Sequence, residues 1–544
     1  SLPIDHNFVF EEMLHFPHDP AERGIIDLKD PLKWPQFPLP GPPIKWWEHL
    51  GDHEFAERLS LDAKTPGLEA RAFYFKVLHE WLLDCDTYDE CKLPQIEPEF
   101  WPTRAIFVGD REQLRLVEEP NGDKDYLVLS HCWGNPTEDE RGRFCTNRQN
   151  YRSRLNGFRL DDLPKTFRDA VEVTRELGKQ YLWIDALCIL QGADGEWESE
   201  AGNMERVFAN AYCTIAADSA GGWKDGFLTP GLWDQLVLGS VECDCDYKSG
   251  VDESQLMKRA WVVQERVLSR RIIHFTESDA NVAHTFWECG SGVRCQQFSN
   301  IRVPLGEHTF ILDPYFPSRL RKAGYYRCLQ FIQSLFEEYS KCGLTYKSDR
   351  DIAIRSLLER MGRELATDVG YGIIRCFIGS LLIWKRTAKD LTSPIDFEPR
   401  TVPSWSWMAY DGSIEFIDKF RYKLRIPQAT DLEFAQDGKE LKVKIRKFQN
   451  CRLEENMRDN EFTVKTVDGT TEKVGSMWYD MMDQIEFNSC VVAGVDGTGS
   501  AVNDQKRYFV IMVQQMPGGG YRRLGAGEVD DGYLSTKGEF GRLL

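Results

Sequence analysis

Between Tyr126 and Ala220, three short apolar runs, Tyr126–Ser130, Tyr181–Asp185 and Tyr212–Ala217, are separated by two segments of helical period. Parallel strands need a long crossover between them, and these spacers supply one, so the pattern predicts βαβαβ and a parallel sheet. The first spacer is punctuated as a helix. Asp162 is placed to cap it, Pro164 suits the first turn, and Gly178 suits a left-handed exit. Phe167, Ala170, Val171, Thr174 and Leu177 form its stripe. The run Tyr181–Asp185 is almost continuously apolar, which predicts a central strand covered on both faces. A second helix is predicted from about Glu196 to Ala211, with Trp197, Ala201, Met204, Val207, Phe208 and Ala211 toward the core.

Ligands of open parallel sheets bind beyond the carboxyl ends of the strands, where loops and helix N-termini converge. Here that rim collects Ser130, His131, Cys132 and Trp133, then Asp185 and Cys188, then Asp218 and Ser219. Glu200 lies close by, early in the helix that follows the second strand. A serine or cysteine beside a histidine at a strand exit suggests a nucleophile at Ser130 or Cys132. Adjacent strand residues point to opposite faces, however, so Ser130 and His131 are not aimed at each other. Asp185 closes an apolar strand, and burying it alone is costly, so pairing with Arg168, Arg259 or Arg266 is expected, or a ligand hydroxyl in place of the arginine.

The chain has 544 residues, of which 42% are hydrophobic and 28% charged, enough for two to four packed units. A net charge of -19 and a pI near 5.2 argue against a nucleic-acid or anionic-membrane surface. Fifteen cysteines scatter through apolar segments, which reads as reduced thiols in a cytoplasmic protein rather than a secreted scaffold. The longest apolar run, from Gly372 to Trp384, is interrupted by Arg375 and too short to span a bilayer. Cys243, Cys245, Cys289 and Cys295 give only a weak zinc pattern, and no metal is assigned. P-loop, Rossmann and H-E-x-x-H fingerprints are absent, so no NTPase or metalloprotease reading is supported.

Four regions follow from composition. Residues 1–100 form a Pro-rich and helical leader, 101–300 the α/β core, and 301–410 a helical region ending in PSWSW. Residues 411–544 alternate with period two between DG and GG turns, which predicts a β-rich module. Trp405 and Trp407 alternate with serines, so both indoles face one way, and the segment is expected to pack back on the core. RAIFVGD and QLRLVEE are predicted to extend the core sheet. Met257–Leu268 is predicted to be a helix with Arg259, Gln264, Glu265 and Arg266 on its polar positions.

The wording LSHCWG, LPKTFRDAVEV, YLWIDALCILQ, W-x-x-E-x-x-x-M-x-x-V-F from Trp197, RAWVVQERVLSRRIIHF and PSWSWMAYDG resembles the heterokaryon incompatibility (HET) domain family of filamentous fungi. The resemblance covers roughly Tyr126 to Cys289. It implies a central, mainly parallel sheet flanked by helices, and a cytoplasmic effector of vegetative incompatibility and programmed cell death. The family is also distantly similar to TIR domains, some of which cleave NAD. Glu200, in W-x-x-E, is similar in position to their catalytic glutamate, and NAD becomes a substrate candidate. Asp185, Ser130 and Cys132 complete the catalytic candidates. Trp133, Trp197, Cys188, Gln191, Gln264 and Arg266 are the candidates for holding the nucleotide. The alternatives are a non-enzymatic module that assembles with itself or an incompatibility partner, and a HET fold recruited to other small-molecule chemistry.

Overall fold

The computed structural model describes residues 68–87, 99–111, 113–234, 246–277, 282–289, 292–295, 300–301, 320, 324–387, 394–398, 400–417, 424–425, 432–435, 438–455, 461–467, 472–482, 485–496 and 506–544. The leader up to residue 67, and with it the Pro-rich stretch, lies outside them, as do Cys243 and Cys245. The chain divides into two compact units, with the boundary between Arg319 and Leu320.

The first unit is built on a ten-stranded sheet: β1 Ala105–Phe107, β2 Gln113–Val117, β3 Tyr126–Ser130, β4 Phe158–Arg159, β5 Tyr181–Trp183, β6 Cys213–Ala216, β7 Arg271–Glu277, β8 Ala283–Cys289, β9 Gly292–Cys295 and β10 Asn300–Ile301. Its order is β10-β9-β8-β7-β6-β3-β5-β1-β2-β4. The three runs of the central motif lie side by side, with β3 parallel to both β5 and β6, and β7 parallel to β6. Their residues are buried on both faces, as the apolar run at β5 predicts.

Away from that centre the expectation of a mainly parallel sheet fails. β1 pairs antiparallel with β2 and β5, β2 with β4, and β7 to β10 form an antiparallel series. The sheet is therefore mixed, and antiparallel at both margins. The reason lies in the links: residues 278–282 join β7 to β8, and so short a link cannot house a crossover.

The first crossover helix is Lys165–Glu176, entered from Pro164 without a side-chain cap, because Asp162 closes a preceding 3-10 turn instead. Gly178 takes the left-handed exit at φ 72°. The second predicted helix breaks into Trp197–Ala201 and Met204–Asn210. Gly202 sits at the break, where its low helix propensity coincides with a 3-10 bond from Asn203 N–H to the Glu200 carbonyl at 2.9 Å. Ala201, Met204, Val207, Phe208 and Ala211 are buried as the stripe requires. Downstream, the predicted Met257–Leu268 helix begins only at Ala260.

The second unit holds helices Tyr325–Lys341 and Arg355–Leu365 and a mostly antiparallel β-rich region, with one parallel pairing between Tyr521–Asp530 and Glu539–Leu543. Five of its strands form a ring: Leu441–Lys447, Ser489–Asp496, Arg507–Gln515, Tyr521–Asp530 and Glu539–Leu543 each pair with two neighbours. The PSWSW segment, expected on the first unit's core, has its indoles among residues of this second unit. Trp407 packs on Phe336 and Tyr339, and Trp405 on Tyr371 and Phe434. Among the described residues no helix is long and apolar enough to cross a membrane.

Candidate functional site

The carboxyl ends of β3 and β5 bring together the residues that the sequence pattern singled out. Ser130, the last residue of β3, donates from Oγ to Glu265 Oε2, a contact between side chains that are both buried. His131 turns the other way, its ring edge-on to Phe167 at 5.1 Å and its Nε2 3.9 Å from Asp185 Oδ1. The alternation expected of a strand thus separates Ser130 from His131. Burial holds the His131 pKa down to about 4, so the imidazole is neutral at ordinary pH.

Cys132 packs among Ala216, Leu256, Val262 and Ile272. Burial in that apolar setting pushes its thiol up, outweighing the neighbouring Arg259. A thiol held in its neutral form is a poor nucleophile, and the same is true of Cys188, which burial pushes up to about 12. Cys188 Sγ instead accepts from the Ile184 amide at 3.5 Å. Its carbonyl receives Arg104 Nε at 2.8 Å.

Asp185 corrects the expectation of an arginine partner. It opens the one-turn helix Asp185–Cys188, where Oδ1 accepts from the Ala186 amide at 2.6 Å and Oδ2 from Trp133 Nε1 at 2.8 Å. Arg259 donates to the His131 carbonyl, and Arg266 is engaged elsewhere. The Trp133 indole stacks on Trp223, with centroids 5.7 Å apart and planes 26° apart. The close loop approach behind this stack needs Gly134: its φ is 68°, and a Cβ there would meet Gly222 Cα at 3.1 Å. Gln191 donates to the carbonyls of Asp185 and Ile189, each at 3.3 Å, so it ties down the loop after β5.

Glu200 is 8% exposed and lies on the β1 side of the rim. Its Oε1 accepts from Thr103 Oγ1 at 2.8 Å and Asn203 Nδ2 at 3.5 Å. No cation among the described residues pairs with it. Trp197 is half-buried and meets Trp261 edge-on at 5.4 Å. That indole is braced by the helix Ala260–Leu268 and does not stand free beside Glu200.

The polar positions assigned to that helix are also corrected, because Gln264, Glu265 and Arg266 are all buried. Arg266 joins a closed network away from the rim, bonded to Asp252 Oδ1 at 2.9 Å, Tyr247 OH at 2.7 Å and Glu288 Oε2 at 3.2 Å. His274 bridges Glu288 to Asp218 in the same network, which withdraws Asp218 from the rim as well. Periodicity could not show this, since it registers which face a residue occupies and not whether a charged partner waits there.

Thr103, Arg104, Trp223 and the Ser130–Glu265 contact were not legible as site features. The signal for the first two is topological. β1 runs antiparallel to β5, so the residues just before β1 arrive at the carboxyl end of β5. Among the described residues no group of acidic, histidine or cysteine side chains could hold a metal ion.

Residues 126–265 match the family model described as Heterokaryon incompatibility protein (HET). The match begins with β3 and ends at Glu265, and so spans the whole cluster from Ser130 to its carboxylate partner. No curated protein and no solved structure matches the chain.

Proposed function

We propose that this protein is a cytoplasmic effector of heterokaryon incompatibility that acts through its HET domain by cleaving the N-glycosidic bond of NAD, causing cell death by cofactor loss. The observation that carries this reading is the pairing state of Glu200. A carboxylate that is nearly buried and held, among the described residues, only by a hydroxyl and an amide has no cation there to neutralise it, and it costs free energy to keep it so. Such a group is preorganised for positive charge that appears only in a transition state. Loss of nicotinamide from NAD leaves an oxocarbenium-like ribosyl centre, the kind of charge that carboxylates stabilise in glycoside hydrolysis.

Asp185 extends the same logic to binding. Among the described residues its acceptors face Trp133 and a backbone amide and no arginine, which suits the hydroxyls of a ribose. The partly exposed Trp133 indole, backed by the buried Trp223, provides a flat apolar surface beside it for an aromatic base. All described cysteines are free thiols, as a reducing compartment would keep them.

The test is incubation of the purified full chain with NAD, scored for nicotinamide and ADP-ribose. Release that depends on Glu200 supports the reading. Failure to release nicotinamide, with the protein alone or self-assembled, removes it and leaves a non-enzymatic signalling module.

A further inference from the structure

We propose that Glu265, held by Ser130 at the end of β3, is the proton acceptor for the water that attacks the ribosyl centre. This rests on the NAD-cleaving reading and adds to it the second group that hydrolysis requires. Nicotinamide departs as a neutral molecule with the electron pair of the C–N bond. The water oxygen then forms the new bond to the anomeric carbon and must shed a proton. That proton passes to the Glu265 carboxylate and from there to solvent, so NAD and water give ADP-ribose, nicotinamide and one proton.

The geometry assigns this step to Glu265 for three reasons. First, Oε2 accepts from Ser130 Oγ, which fixes the carboxylate at the strand end although 135 residues separate the two in sequence. Second, the bond from Ser130 to Oε2 is the one side-chain hydrogen bond that Glu265 makes among the described residues, and the residue keeps 9% of its surface exposed, so Oε1 is left to meet a water. Third, Glu265 shares the rim with the other carboxylates. Asp185 is close enough to influence its ionisation, and Cys188 feels both Asp185 and Glu200.

The charged and titratable groups facing Glu265 are Arg259, Asp185 and the Cys132 thiol. Burial pushes the Glu265 carboxyl up to about 7 and Asp185 adds to the rise, against the lowering effects of the Ser130 hydrogen bond and Arg259. A base poised near neutrality is what proton transfer at that pH favours.

Nicotinamide release is measured from about pH 5 to about pH 9 for the full chain and for Glu265→Gln and Ser130→Ala, with thermal melts to show that each is folded. The wild-type rate is expected to fall toward acid with a midpoint near about 7. Glu265→Gln should lose roughly 10²-fold or more in kcat with little change in KM, and its acid limb should vanish. Ser130→Ala removes a bond that stabilises the carboxylate, so its limb should move to higher pH. A structural role would leave the limb where it is. An acid limb retained in Glu265→Gln, or a midpoint unmoved in Ser130→Ala, overturns this assignment while NAD cleavage stands. Wild-type protein that releases no nicotinamide removes both.

Discussion

The indole N–H of Trp133 lies 2.8 Å from Asp185 Oδ2, a hydrogen bond that ties the loop after β3 to the one-turn helix that follows β5. Trp133→Phe keeps an aromatic ring against Trp223 and deletes the donor. Because the acceptor is a partly exposed carboxylate, the loss should be modest, about 1.5 kcal/mol. Urea denaturation of the variant checks it, and an unchanged midpoint would show that the bond contributes nothing to the fold.

Glu200→Gln and Asp185→Asn separate chemistry from binding. Gln preserves the shape of Glu200 and can still accept from Thr103, so the melting temperature should hold while nicotinamide release falls by roughly 10²–10³-fold. Asp185→Asn should instead raise KM for NAD, since Asp185 is read as a hydroxyl acceptor and not as the group facing the cation. A Glu200→Gln protein with wild-type turnover would remove Glu200 from the mechanism.

His274 sits in the buried network with Nδ1 2.9 Å from Asp218 Oδ2 and Nε2 2.9 Å from Glu288 Oε2. Burial alone would pull its pKa down, but the two carboxylates outweigh it and push it up to about 9. With an unfolded value near about 6.5, the folded state binds the proton more tightly. Its stabilising contribution, on the order of 3 kcal/mol, is therefore complete below about pH 6.5 and lost as pH rises through about 9. Hydrogen exchange of the β6 and β7 amides should show the wild type losing its advantage over His274→Gln across that window. An advantage that is the same at both ends would refute the charge on His274.

In the second unit, Arg523 is fully buried with its guanidinium 3.4 Å from the Trp384 ring centroid and Nε 2.8 Å from Asp480 Oδ2. Burial pushes the Asp480 carboxyl up, and Arg523 is the main force holding it down. Arg523→Met should cost about 3–5 kcal/mol because Asp480 is left without its ion pair. Arg523→Met combined with Asp480→Leu should recover much of that loss, as measured by chemical denaturation. If the double variant is no better than the single one, the cost lies in packing on Trp384 and not in the stranded charge.

Much of the first unit was legible in the chain itself. Apolar runs at Tyr126, Tyr181 and Tyr212, spaced by crossover lengths, leave β3, β5 and β6 little choice but parallel pairing, and Ser130 and Asp185 follow as rim residues because Ser130 ends β3 and Asp185 opens the turn just after β5. The stripe of the Lys165–Glu176 helix and the left-handed Gly178 were likewise local matters, fixed by side-chain period and backbone sterics. Which polar residues met one another was not local. Asp185 found Trp133 and not an arginine, Arg266 was drawn into Glu288 and Asp252, and Glu265 turned inward to Ser130. Electrostatic and hydrogen-bond partners are chosen by distances between segments far apart in sequence, and burial sets their protonation. The sequence determined where the central strands lie, and the tertiary structure alone decided which carboxylates at that rim were left without a cation among the described residues.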